Sequence, residues 1–253
     1  MRTAAPRLAH TTRTVVHRGM PTVRIAPRFC GPPDRANGGY ACGSLARHAG
    51  GIVRVRLEKP VPLDTDLEVV AQADGQLELL HGAERIARAE PAGLHLHVPT
   101  PPSYLEALEA SRHYLGFLEH AYPSCFVCGT GRARGDGLHV FAGRVGTRNL
   151  VASPWTPDPT LDAGDGKVRP ELMWAALDCP GYFAARDDLK QMLLGEFTAH
   201  VDRRVHIDEP CVVIGWPISV SGRKYEVGTA LFDEDGELCA RARGLWIELR
   251  APL

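Results

Sequence analysis

Two segments of the chain repeat one pattern around a short predicted helix, and this repetition limits what the chain can fold into. In the first segment, Gly39 is followed seven residues later by Ala46, within a stretch of small residues. In the second segment, Glu171 is followed seven residues later by Asp178. The first copy has the pair Gly38-Gly39 and lacks the acid, whereas the second copy has the acid and lacks the glycines. Together the two copies predict one complete site made from two halves.

Further matches follow these helices in the same order along the chain. Residues 61–64 align with residues 205–208, at an offset of 144 (205 minus 61). Residues 86–89 align with residues 239–242, at an offset of 153 (239 minus 86). The helices themselves are offset by 132 (171 minus 39). Because the order is kept while the offset grows, the matches predict an internal duplication with insertions between its parts.

Length and composition indicate a soluble chain of two lobes. Its 253 residues, 44% of them hydrophobic, suffice for two domain cores. A formal net charge of -1 argues against a nucleic acid or an anionic membrane as partner. No run reaches the roughly 20 apolar residues of a membrane helix, and residues 1–20 lack the apolar core of a secretion signal. The seven scattered cysteines do not resemble a disulfide framework, so we expect a reducing, cytoplasmic setting.

Hydrophobic periodicity and turn residues predict one helix followed by antiparallel strands, twice over. We expect a tail over residues 1–20, a first domain over 21–98, a linker over 99–122 with a helix capped by Ser103, and a second domain over 123–253. Pro180-Gly181 should end or kink the second helix just after Asp178. The predicted strands of the first domain cover residues 52–57, 67–71, 77–80 and 86–97. The second domain is predicted to contain a helix over 170–185 and strands over 197–205, 211–220, 224–232 and 238–249.

This arrangement resembles the hotdog-fold acyl-CoA thioesterase superfamily, in particular the branch whose helix opens with His-Gly-Gly and carries an acid seven residues later. The resemblance implies an α+β double hotdog, in which two antiparallel sheets each wrap one long central helix. It extends over roughly residues 20–250. The segments that carry it are residues 29–32, 35–40, 125–129, 137–138 and 170–181.

In that superfamily, the start of one helix faces the acid on the helix of the paired unit. The resemblance implies that Asp178 acts as nucleophile or as general base on water, and that Gly39 N–H polarises the thioester carbonyl. A helix N-terminus offers unpaired N–H donors and partial positive charge to such an oxyanion, and glycine permits close approach. Asn37 stands where the superfamily has histidine and would orient substrate or water. We expect substrate contacts from Gly38, Tyr40 and Trp174.

We expect one working site per chain, because the mirror-image combination of residues 169–171 with Ala46 has neither the glycine pair nor an acid. The implied substrate is a small-molecule acyl-CoA, with no cofactor apart from the CoA moiety of that substrate. Exposed strand edges would permit a homodimer. Taken without the resemblance, residues 37–39 are better explained as a turn and helix cap, and the alternative for Asp178 is an exposed or capped acid on a helix.

The sequence also allows functions other than hydrolysis. A hotdog module that binds an acyl or aromatic ligand, or assembles with a partner, needs no catalysis, and the missing histidine favours it. A hydratase would need a catalytic histidine, yet no Asp-x-x-x-x-His segment follows a helix start. Cys125 and Cys128 have the spacing of half a metal or redox site, but no second pair follows, so we expect no metal. His95 and His97, which share a strand face, are more typical of surface or packing positions.

Overall fold

The computed structural model describes residues 21–185, 188 and 190–251. Its strands are β1 (Thr22–Val23), β2 (Val53–Leu57), β3 (Leu67–Ala71), β4 (Leu77–His81), β5 (Glu84–Pro91), β6 (Gly143–Arg144), β7 (Val151–Trp155), β8 (Met192–Val201), β9 (Cys211–Ser221), β10 (Lys224–Phe232) and β11 (Leu238–Glu248). They form one antiparallel sheet in the order β1-β3-β4-β5-β2-β8-β11-β10-β9-β7-β6. The predicted strand positions largely hold, although β5 ends at Pro91 and β8 begins at Met192.

Within the described residues, the α-helices beside the sheet are α1 (Gly38–Ala46), α2 (Tyr104–Ser111), α3 (Pro170–Ala176) and α4 (Asp178–Ala185). Ser103 caps α2 as predicted, and it forms a capping box with Glu106. No helix in the described part of the chain is both long and apolar enough to cross a membrane. The predicted tail over residues 1–20 lies outside the described residues.

The strands form one continuous sheet, so the expectation of two separate sheets was wrong. Strand β2 from the first half pairs antiparallel with β8 from the second, with Val53 opposite Ala199 and Val55 opposite Phe197. All four of these side chains are buried. The two halves are joined because each supplies one strand with an apolar inner face to this junction.

The helices are also shorter than the expected pair of long central helices. Helix α1 has nine residues, and the second helical segment is divided at Leu177 into α3 and α4. The predicted break after Asp178 is therefore wrong by one residue. Pro180 lies inside the first turn of α4, where its missing N–H would have had no helical partner, so the helix tolerates it.

The backbone repeats the same contacts in both halves of the chain. Ala36 N–H donates to Val61 O (2.9 Å), and Val168 N–H donates to Val205 O (3.0 Å). In both halves the donor lies two residues before the helix and the acceptor opens one of the segments matched by sequence. Each matched segment also ends in an aspartate with positive φ: Asp64 (51°) and Asp208 (62°).

Helices α1 and α3 pack closely because two glycines of α1 face α3. Gly39 and Gly43 lie four residues apart, which places them on one helix face. A Cβ added at Gly39 would lie 2.6 Å from Trp174 O, and one added at Gly43 would lie 2.8 Å from Glu171 Cα. The absence of side chains at these two positions therefore sets the distance between the helices.

Replacing Gly43 with alanine should destabilise the protein by about 1–3 kcal/mol, because the new methyl group would overlap α3. The steric cost of the overlap should exceed the about 1 kcal/mol by which alanine is more favourable than glycine in a helix interior. Urea unfolding followed by circular dichroism measures the difference. Gly93→Ala is the control, since a Cβ there would have its nearest neighbour at 3.6 Å. A Gly43→Ala protein as stable as the native one would contradict this account of the helix contact.

Candidate active site

A cavity of about 310 Å³ lies where α1, α4 and β8 meet the loop that precedes β6. Its wall is largely apolar, and Leu194 and Trp246 from the sheet and Phe183 from α4 line it. Polar groups enter this wall at the starts of α1 and α4, where Asn37, Gly38 and Asp178 are found. An apolar cavity with a few convergent polar groups is the usual form of a small-molecule site.

Asp178 joins the two halves of the chain through a single carboxylate oxygen. Its Oδ2 accepts hydrogen bonds from Asn37 Nδ2 (2.7 Å) and from Gly39 N–H (2.9 Å). All three residues are buried, and Asp178 is only 2% exposed. The structure thus brings together the acid of the second helical segment and the Asn-Gly-Gly start of the first.

Asn37 stabilises this arrangement because its side-chain amide forms hydrogen bonds with both α1 and α4. As the N-cap of α1, its Oδ1 accepts from Tyr40 N–H (2.9 Å), while its Nδ2 donates to Asp178. A backbone N–H can only donate, so the amide oxygen must face α1 and the amide nitrogen must face the carboxylate. The cap thereby fixes which end of the amide meets Asp178.

The two oxygens of Asp178 have different surroundings. Oδ2 has both donors, whereas Oδ1 is buried and has no hydrogen-bond partner among the described residues. Burial raises the pKa of the Asp178 carboxyl to about 7, although the bonds from Gly39 and Asn37 act in the opposite direction. Oδ1 is therefore the oxygen that is left to receive a proton or to attack an electrophile.

The backbone N–H groups at the start of α1 are not used as the sequence predicted. Gly39 N–H, the predicted oxyanion donor, is already directed at Asp178 Oδ2. Gly38 also lines the cavity, and within the described residues its N–H has no acceptor. A first-turn N–H without a partner is what a helix N-terminus presents to an anionic ligand atom. By this geometry, Gly38 is better placed than Gly39 to receive an oxyanion.

Tyr40 and Trp174, two predicted substrate contacts, are not among the residues that line the cavity. Tyr40 stacks on Phe29 with ring centroids 4.1 Å apart. Trp174 packs against Gly43 and meets Phe197 edge to face, with ring centroids 5.7 Å apart. Both side chains are buried and take part in core packing.

Among the described residues, the start of α3 lacks both the glycine pair and the side-chain cap found at the start of α1. Pro170 is at the start of α3, where it has no N–H to donate, and the Arg169 side chain makes no capping bond. Ala46 stands opposite in α1, where the other half has Asp178. The described residues thus contain the acid and the glycine pair together at one end only.

Several cavity residues were not predicted from the sequence, among them Cys179. Cys179 lies on α4 next to Asp178, and its Sγ is 3.8 Å from that of Cys125, with Cys128 beside them. The segment around Cys125 forms consecutive turns. The spacing of Cys125 and Cys128 was visible in the sequence. That Cys179 joins them depends on the fold.

The comparisons with known proteins identify the fold. No family model matches the chain, and no curated protein matches it by sequence. A Mycobacterium avium subspecies paratuberculosis tesB protein is similar in structure, with a TM-score of 0.56 and 15% identity, covering 85% of this chain and 88% of that one. A provisionally assigned thioesterase II from Thermobifida fusca has a TM-score of 0.58 and 17% identity, covering 90% and 92%.

A conserved hot dog fold protein of unknown function from Alicyclobacillus acidocaldarius is also similar, with a TM-score of 0.51 and 11% identity, covering 92% of this chain and 93% of that one. The hot dog fold is stated for the third of these neighbours, and the second is named a thioesterase. The chain therefore has a hotdog fold, as the sequence resemblance implied. At these identities the likeness establishes the fold and not the reaction.

Asn37→Ala should cost more stability than loss of an ordinary helix cap. Removing a cap alone costs about 1 kcal/mol. Loss of Asn37 should add about 1–3 kcal/mol, because a buried acceptor on Asp178 also loses a donor. Ser103→Ala, which removes the exposed cap of α2, is the matched control. Equal losses in the two variants, measured by urea unfolding, would show that the bond from Asn37 to Asp178 contributes little.

Proposed function

We propose that this chain is a double hotdog protein that hydrolyses an acyl thioester, with an acyl-CoA as substrate, at one composite site between its halves. The observation that carries the proposal is the contact of Asp178 Oδ2 with Asn37 and Gly39, which joins the two halves at a cavity wall. The recurring backbone contacts before α1 and α3 support the duplicated architecture. The hotdog fold of thioesterase neighbours agrees with both parts of the proposal.

In the proposed reaction, the thioester carbonyl lies at the start of α1 and beside Asp178 Oδ1. Gly38 N–H and the partial positive charge of the helix N-terminus stabilise the oxyanion that forms on the carbonyl. Asp178 Oδ1 takes a proton from the attacking water. The tetrahedral intermediate then collapses, the C–S bond breaks, and the thiolate leaves with that proton as a free thiol.

Direct attack by Asp178 Oδ1 is the other route that this geometry allows. A mixed anhydride would form between the acyl group and the carboxylate as the thiolate leaves, and water would then hydrolyse it. In either route, Asn37 and Gly39 N–H hold Oδ2 and so direct Oδ1 toward the substrate. Both routes require the Asp178 carboxylate and the same position for the carbonyl.

The walls of the cavity suit an acyl group. Leu194, Phe183 and Trp246 provide apolar surface next to the polar end at Asp178. Exposed Arg35 and Lys59 also line this cavity, where their positive charges can meet the phosphates of a CoA moiety. A ligand with an apolar tail, a central thioester and an anionic end would satisfy all three regions.

A binding module without catalysis is the second candidate, and one observation favours it. Gly39 N–H donates to Asp178, so one of the two glycine amides is engaged within the protein. Asn37 occupies the position of the superfamily histidine and cannot take up a proton at neutral pH. An acyl or aromatic ligand could then occupy the cavity without being cleaved.

Asp178→Asn should lower kcat/KM for thiol release by about 100-fold or more, the loss expected for an acid-base group. The amide oxygen can still accept from Asn37 and Gly39, so the variant chiefly removes the reactive Oδ1. Release should be measured with short, long and aromatic acyl-CoAs. Asp233→Asn is the control, because Asp233 is also a buried carboxylate but does not line this cavity.

If native protein releases no thiol from any acyl-CoA, hydrolysis of these substrates is excluded. Thermal unfolding with the same panel then tests the second candidate. A rise in Tm with one acyl-CoA, seen in both native protein and Asp178→Asn, would identify a binding module. Equal thiol release by native protein and Asp178→Asn would exclude Asp178 as the catalytic group.

A further inference from the structure

Three buried cysteines form a cluster beside the cavity. Cys125 and Cys128 come from the loop before β6, and Cys179 comes from the first turn of α4. Their sulfur atoms all lie within 4.8 Å of one another, and the Cys125 and Cys179 sulfurs are 3.8 Å apart. All three residues also line the cavity. The proposed hydrolysis uses none of these thiols.

The loop that carries Cys125 and Cys128 is held in one conformation. Gly129 N–H donates to Cys125 O (2.9 Å), which closes a tight turn around the two cysteines. A Cβ at Gly129 would overlap the carbonyl oxygens of Cys125 and Pro123, so the turn requires glycine here. The Cys128 carbonyl receives a bond from Tyr114 Oη (2.9 Å). The two sulfurs are therefore presented by a rigid Cys-x-x-Cys-Gly turn.

The spacing of the sulfurs matches the geometry of metal thiolates. A Zn–S bond is about 2.3 Å, so two thiolates of a tetrahedral zinc site lie roughly 3.8 Å apart. The distance between Cys125 and Cys179 already has this value, and Cys128 is close enough to complete a triangle. Soft thiolate ligands select cations such as Zn²⁺ over Mg²⁺ or Ca²⁺.

We propose that Cys125, Cys128 and Cys179 bind one thiophilic cation, with Zn²⁺ as the fitting case, and that its fourth position is open to the cavity. Three protein ligands with an open position distinguish such a site from a closed structural site with four. The metal would tie the cysteine loop to the first turn of α4. It would thereby fix the start of the helix where Asp178 lies, whether or not the protein hydrolyses thioesters.

The first test is the content and coordination of the metal in the full chain. Protein freed of metal with a chelator and a reductant should take up one equivalent of Zn²⁺. X-ray absorption of the zinc form should show three sulfur neighbours at about 2.3 Å. Cobalt in place of zinc should give the absorption bands of a tetrahedral thiolate complex. A shell of nitrogen and oxygen alone, or uptake well below one equivalent, would overturn the proposal.

Cysteine variants test the ligand set. Cys128→Ser and Cys179→Ser should each weaken Zn²⁺ binding by more than the about 10- to 100-fold that loss of an outer-sphere partner costs. Cys211→Ser is the control, because Cys211 is also buried but does not line the cavity. Competition with a chromophoric chelator gives the affinities, and circular dichroism of the metal-free proteins checks folding. Equal zinc affinity in all three variants would overturn the assignment.

A disulfide is the alternative use of such a cluster, and counting thiols distinguishes it. Native protein purified without reductant should have all seven cysteines accessible to a thiol reagent after denaturation in chelator. Five accessible thiols, with no metal bound, would indicate one disulfide and overturn the metal site. Because these measurements do not use acyl-CoA turnover, they stay independent of the proposed hydrolysis.

Discussion

The close contact between α1 and the second helical segment is the constraint on which the site depends. It requires two positions without side chains, and Gly39 is the more critical because a Cβ there would lie 2.6 Å from both Trp174 O and Asp178 Cβ. At this separation, the Gly39 amide reaches the Asp178 carboxylate directly. The same absence of a side chain therefore packs two helices and completes a polar site.

Burial gives the Asp178 carboxylate its chemical character. Asn37 and Gly39 N–H donate hydrogen bonds to one oxygen, while the other oxygen has no partner among the residues that the structure describes. An electrostatic interaction among such buried groups is stronger than the same interaction in bulk water. A polarised carbonyl placed there would meet the oriented Oδ1 of Asp178 and the Gly38 amide together. The arrangement consequently suits a reaction with charge separation, and it equally offers a strong position to a polar ligand head.

Sequence alone predicted the parts of the site that depend on local patterns. The matched spacing of Gly39 and Asp178, together with the family resemblance, predicted that these two residues lie in contact. The helix cap at Ser103 was predicted from a short-range sequence motif. The packing of the Tyr40 ring on Phe29 and the contact of Cys179 with Cys125 could not be predicted, because both depend on residues that are distant in the chain. The single continuous sheet was not predicted for the same reason. Alternating apolar and polar residues indicate a strand, but they do not show which strand it pairs with.

The junction of β2 with β8 has a consequence for the synthesis of the protein. These strands pair Val53 with Ala199, which are 146 residues apart in the chain (199 minus 53). The ribosome must therefore synthesise more than 140 residues after β2 before the partner strand β8 exists. At ribosomal rates this wait is on the order of ten seconds, during which β2 would be an open sheet edge. Arg54 and Arg56 alternate along this strand and are exposed in the finished fold. Their charges would discourage pairing between nascent chains until β8 arrives.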